Sequence, residues 1–276
     1  MSYWEQLVVL ASINVLLAFA AFVPMTAGLM LLSFGSYCGA GALVAAYLHG
    51  MGLPFTAAVG AGALAGALVS GLVEMLCHRQ SGFLLAVSTL ALTELAHVLV
   101  TNSELLGGAL GFKHVELHSS TMLPVFCVIS SSLFMFWLER TKVRDVVNLV
   151  GDDPMLAESL GIRLGHYRIG VTLVSGAFCG CAGALLIHAV GILDPRVFGV
   201  DFGLQVLTFA ILGGRRWWGP PIAAVLLTVV PESLRFSFEY RMILYGVLLV
   251  WSLSRLPGGL SAVRLPGWAK LARPIQ

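Results

Sequence analysis

The chain has 276 residues, 58% of them hydrophobic and 11% charged, with a net charge of +2 and a mean hydropathy of +0.91. A soluble domain holds roughly 45–50% apolar and about 25% charged residues, so this excess does not fit a water-covered core and reads instead as an all-α polytopic bundle in a lipid bilayer. The small net charge gives no electrostatic support for nucleic-acid binding.

A membrane-spanning helix needs roughly 20 apolar residues. Candidate spans run over 7–25, 27–48, 55–77, 82–100, 121–138, 167–192, 219–234 and 242–256. A shorter apolar piece at 203–213 reads as a shortened span or a re-entrant half-helix lining a cavity, the setting in which broken helices are tolerated. The expectation is one membrane domain, 1–276, of about eight or nine segments. The first span follows MSYWEQ, a lead without Lys or Arg. It therefore reads as a retained membrane helix, not a signal peptide.

Small residues recur every four positions in two spans: Ala58, Gly62, Gly66 and Ser70 in one, Gly176, Gly180 and Ala184 in the other. Such stripes let backbones approach closely in lipid, as helix packing or as a sliding interface. Glu74 lies one turn from the inner end of its span, where it is expected to snorkel or to pair with Arg79. The next span carries Ser88, Thr89, Thr93, Glu94 and His97. Glu94 and His97 are three apart and share a helical face. An ionisable group at that depth marks either a polar spot on a solute pathway or a clasp between helices. The cysteines (Cys38, Cys77, Cys127, Cys179, Cys181) lie in or beside apolar runs and read as packing residues, with no metal-site spacing.

The longest polar break lies between Glu139 and Arg168, where ten of thirty residues are charged. Asp153 precedes Pro154, the order of an N-cap and a first helical residue. Met155, Leu156, Ala157, Glu158, Ser159 and Leu160 can continue the helix, and Gly161 supplies a stop. A helix of about two turns is unstable alone and must pack on something. Either its own bundle, the headgroup layer or a soluble partner takes Met155, Leu156 and Leu160. If this loop (139–167) is cytoplasmic and all nine segments cross, twelve of the sixteen Lys and Arg fall on its side. The remaining four are Lys113, Arg196, Arg235 and Arg241. The asymmetry favours an outside N-terminus and a cytoplasmic C-terminus.

No G-x-x-x-x-G-K-[ST], H-E-x-x-H or G-x-S-x-G occurs, so no P-loop, zincin or hydrolase chemistry is expected on this chain. No metal and no cofactor are expected.

The charged island and the span after it, DDPMLAESLGIRLGHYRIGVTLVSGAFCGCAGALLIHAVGILDP, resemble the coupling loop, helix and outer turn of the branched-chain (hydrophobic) amino acid permeases of ABC importers. LSFGSYCGAGALVAAYL (32–48), STLALTEL (88–95), LTFAILGGRRWWGPPIAAVLLTVVPESLR (207–235) and YRMILYGVLLVWSLSRLPGGL (240–260) agree with that family in order. The resemblance implies an inner-membrane permease subunit without catalytic residues, forming half of a translocation pathway. It implies a second permease subunit, identical or paralogous, ABC ATPase subunits that bind the ATP, and an extracytoplasmic solute-binding protein. Asp153 to Gly161 would then be the coupling helix. The chain departs from the family pattern at Arg215-Arg216-Trp217-Trp218, where a small Gly-Ser-like stretch is usual. It departs again at 106–111, which lacks polar residues between the glycines, and around Ser36 to Cys38, about two residues short. Branched-chain amino acids are the family's main expectation; other amino acids, urea or short amides are related ones. The competing reading is a self-sufficient channel or secondary carrier for a small polar solute, suggested by Glu94 and His97.

Overall fold

The computed structural model describes residues 3–103, 112–113, 121–193 and 199–233. Its helices are α1 (Tyr3–Thr26), α2 (Phe34–Gly50), α3 (Phe55–Cys77), α4 (Gly82–Asn102), α5 (Met122–Glu139), α6 (Lys142–Asp152), α7 (Pro154–Ser159), α8 (Leu164–Val190), α9 (Val200–Gly213) and α10 (Gly219–Ser233). Two-residue strands β1 (Phe112–Lys113) and β2 (Ile192–Leu193) pair antiparallel, Phe112 opposite Leu193. The fold is helical, and among the described residues five helices are long and apolar enough to cross a membrane: α1, α3, α4, α5 and α8. α9 and α10 are shorter apolar helices. The expected span at 242–256 lies outside the described residues.

α1 is the centre. Leu16 through Ala21 are at most 2% exposed, so this apolar helix is covered by other helices as well as being fit for lipid. Ser175 of α8 donates to the Ala20 carbonyl at 2.6 Å, and Asn14 donates to Thr228 of α10 at 2.8 Å. Such interhelical bonds replace the hydrophobic drive that lipid removes.

The two small-residue stripes pack on one another. α3 and α8 run side by side in opposite directions, with Gly62 by Ala184, and Gly66 and Ser70 by Gly176. A Cβ on Gly66 or Gly180 would meet the backbone of the opposite helix, and Gly41 brings α2 against Gly180. The bare glycines therefore set the interaxial distance of a three-helix junction.

Two expectations are corrected here. The apolar run 27–48 forms a helix only from Phe34. α1 ends in a turn, with Ala27 donating to Pro24 and Gly28 to Met25, and Gly28 sits at φ 72°, a conformation glycine adopts without steric cost. Residues 27–33 then pass as non-helical backbone to α2. Glu74 neither snorkels nor pairs with Arg79. It is 1% exposed, and its Oε1 accepts from Arg168 Nε at 2.8 Å, while Arg168 Nη1 reaches the Gln80 carbonyl at 2.8 Å. The antiparallel crossing of α3 and α8 brings Arg168 to it, and burial demands a hydrogen-bonded partner.

Candidate functional site

Two places carry the residues singled out from sequence. The first lies inside the bundle. A non-helical stretch such as 30–32 leaves its backbone groups unpaired unless side chains supply partners. α4 supplies them. Thr89, fully buried, accepts from the Leu32 N–H at 3.1 Å, and Thr93 donates to the Leu32 carbonyl at 3.3 Å or to that of Thr89 at 2.9 Å. At the next residue, Glu94 Oε1 accepts from the Val200 N–H at 3.2 Å, at the first turn of α9. A carboxylate there satisfies an orphan donor and meets the positive end of the helix dipole. His97 Nδ1 stands 3.5 Å from Glu94 Oε2, a long contact. Their side chains are 32% and 44% exposed, His97 the lower. Ser88, half-buried, contributes no hydrogen bond to this cluster among the described residues.

The position of the cluster follows from helix geometry. Glu94 is twelve residues past Gly82, about 18 Å along α4 at 1.5 Å per residue. α9 therefore begins deep in the bundle and ends at Gly213, with Arg215 tied to the charged island. Its 14 residues cover about 21 Å, less than a hydrocarbon core of about 30 Å. Gly203 of α9 lies against the Leu32 carbonyl, where a Cβ would come within 2.7 Å. The ends of two apolar elements, α2 and α9, thus meet on α4. Thr89, Thr93 and Glu94, singled out as polar groups on a pathway, are engaged with the chain's own backbone.

The second place is the island, which folds into two helices. α6 is amphipathic, with Val150 buried and Lys142, Arg144 and Asp145 on other faces. Arg144 pairs with Glu139. Gly151 packs against Thr26 and Gly28 at the end of α1, so close that a Cβ would clash with the Thr26 carbonyl. The adjacent acids divide their work. Asp152 closes α6 and accepts from Arg215 Nη2 at 2.8 and 3.0 Å. Asp153 caps α7, its Oδ1 accepting from the Leu156 N–H at 3.0 Å, with Pro154 as first helical residue. Gly161, at φ 81°, ends α7: its N–H bonds to the Glu158 carbonyl and that of Ile162 to Ala157.

Among the described residues, α7 buries one side chain, Ala157, at 0% exposure. Met155, Leu156 and Leu160 are 83%, 47% and 65% exposed. Glu158 is exposed beside them. Sequence reasoning missed the Asp152–Arg215 tie, although it singled out Arg215 as a departure from the family pattern. It also missed the Gly151 contact, for which a glycine two residues before the cap was the only available signal.

Comparison with known proteins decides the family. A model of the branched-chain amino acid transport system / permease component family matches residues 3–253. The chain belongs to that family. It is similar to the high-affinity branched-chain amino acid transport system permease protein LivM of Salmonella typhimurium, 26% identical over 87% of this chain and 65% of that protein. LivM of Escherichia coli is 25% identical with the same coverage. The chain thus spans just under two thirds of the length of these relatives. It is also similar to the fructose import permease protein FrcC of Rhizobium meliloti, 26% identical over 46% of this chain and 38% of the other. No solved structure matches it significantly. These relatives are transport permease components, and several apolar helices agree with a multi-pass membrane protein.

Proposed function

We propose that this chain is the membrane subunit of an ABC importer, forming half of a pathway for amino acids, branched-chain or hydrophobic ones first. ATP is bound and hydrolysed on separate ATPase subunits. A second permease copy or paralogue completes the pathway, and an extracytoplasmic binding protein delivers the solute. α2, α9 and α10 join the five long helices in the bilayer. The island and the C-terminus face the cytoplasm, as the excess of Lys and Arg on that side favours.

The observation that carries this reading is α7. It is capped at both ends by its own sequence and held by one buried alanine, yet it presents three exposed apolar side chains on the charged side of the bundle. Too short to be stable alone, it has the form of an element completed by a partner's groove. Arg215–Asp152 connects it to α9, whose first turn meets Glu94, and Gly151–Thr26 connects it to the end of α1, so force applied at α7 reaches both helices. Amino acids come first as solutes because LivM is named for them, while FrcC, a similar chain, is named for fructose.

The test is co-purification with an ATPase subunit encoded beside this chain. Leu156→Asp, and separately Gly161→Pro, should abolish retention of the ATPase while the chain stays folded. Full retention by both variants would remove the docking role. The carrier alternative predicts uptake by the purified chain alone in liposomes without ATP; Glu94, its main support, is engaged as the partner of α9.

A further inference from the structure

At the island's end of the bundle, α1, α5, α6, α8 and the turn after α9 enclose a cavity of about 420 Å³. Its walls are apolar: Phe22 of α1, Phe134 of α5, Val147 of α6 and Val174 of α8. Its charged lining is Arg144, Arg215 and Glu139, with Asp152 bound to Arg215 from outside the lining and His166 exposed at the start of α8. Arg144 is paired with Glu139. Arg215 gives only Nη2 to Asp152, so Nε and Nη1 stay available to another acceptor among the described residues. Trp217, edge-on to Phe136 at 5.8 Å, lines the same cavity.

The level is that of a headgroup layer. α1 and α5 end here and α8 begins here, so apolar walls give way to basic groups where hydrocarbon gives way to water. Basic pockets at this depth between membrane helices suit anionic headgroups, whose net negative charge a zwitterionic lipid lacks. An aromatic ring at the boundary suits the same layer.

We propose that this cavity binds one anionic phospholipid, its acyl chain against Phe22, Phe134 and Val174 and its phosphate held by Arg215, Arg144 and His166. α6 forms one wall and leads through Asp153 into α7. An occupied cavity therefore holds α6 against α1 and α8, and makes the placement of α7 depend on the lipid around the protein. The site does not depend on the importer reading, and it stands or falls separately.

The full chain is reconstituted with equal phosphatidylglycerol and phosphatidylcholine, extracted gently and weighed intact by native mass spectrometry. The unaltered chain should retain phosphatidylglycerol over phosphatidylcholine by about thirtyfold, the scale of two basic residues at a membrane surface. Arg144→Gln with Arg215→Gln should bring that ratio near one. Val174→Trp, which fills the cavity, should remove the retained lipid; melting curves check that each variant is folded. A ratio near one in the unaltered chain, or a preference unmoved by both variants, overturns the site in favour of lipid held only around the bundle. Val147→Cys cross-linked to residues 242–256, or to a second copy, would also overturn it, because protein would then fill the cavity.

Discussion

The bundle interior and the charged island direct their polar groups in opposite ways. Inside, Thr89, Thr93 and Glu94 turn inward and bond to the backbone of residues 32 and 200, and Glu74 closes on Arg168. In the island, the charges face outward and the apolar side chains of Met155, Leu156 and Leu160 stay uncovered. The first arrangement completes helices that the bilayer would otherwise leave unsatisfied. The second leaves a helix that the described residues do not cover. An ionisable residue in an apolar chain is therefore no sign of a solute site until the ends of its hydrogen bonds are known.

Breaking the interior should cost most. Glu74→Ala leaves the Arg168 guanidinium, 13% exposed, without its carboxylate. Removing one member of a buried pair costs about 3–5 kcal/mol. Unfolding in mixed micelles measures it, and a loss under about 1 kcal/mol would mean that water reaches the pair. Glu74→Leu with Arg168→Met should recover most of the loss, because the apolar replacement leaves no buried charge. Next comes Thr89→Val with Thr93→Val, which unpairs the Leu32 N–H and carbonyl. About 1–2 kcal/mol is expected, with faster amide exchange confined to 27–33. Exchange spread evenly over α2 and α4 would show that the threonines hold helices, not the non-helical stretch. Glu94→Ala removes an acceptor from the first turn of α9, at about 1 kcal/mol. Glu94→Gln keeps an acceptor oxygen and should restore most of it. If the Gln variant were as unstable as Ala, the carboxylate charge would matter more than the bond.

Much of this was legible in the sequence because it is local or periodic. The stripe Gly62, Gly66, Ser70 and its counterpart Gly176, Gly180, Ala184 follow helical spacing, and they meet. Asp153-Pro154 and Gly161 mark the ends of α7 because capping depends on a few adjacent residues. Pairing across the fold was not legible. The partner of Glu74 is 94 residues away, and hydropathy made Arg79 look adequate. The break at 27–33 was hidden because Leu29 to Leu32 are as apolar as a helix; the hydroxyls of α4 help to make a non-helical backbone tolerable there. Asp152 and Asp153 look equivalent in one dimension, and only the position of Arg215 separates them.

The island yields the smallest stability effect, and that is its sharpest contrast with the interior. Asp153→Ala removes the acceptor of the Leu156 N–H, a loss of about 1 kcal/mol for a cap. α7 has six residues and one buried side chain, so little packing couples it to the bundle. The loss should stay local: amide exchange rises over 154–160, while the free energy of global unfolding shifts by less than about 0.5 kcal/mol. Asp153→Asn and Asp153→Ser, which cap nearly as well, should return the exchange to its original rate. If Asp153→Ala instead lowered global stability as far as the threonine pair does, α7 would be part of the bundle's own packing. The opposition between an inward-bonded interior and an outward-facing handle would then fail at the handle.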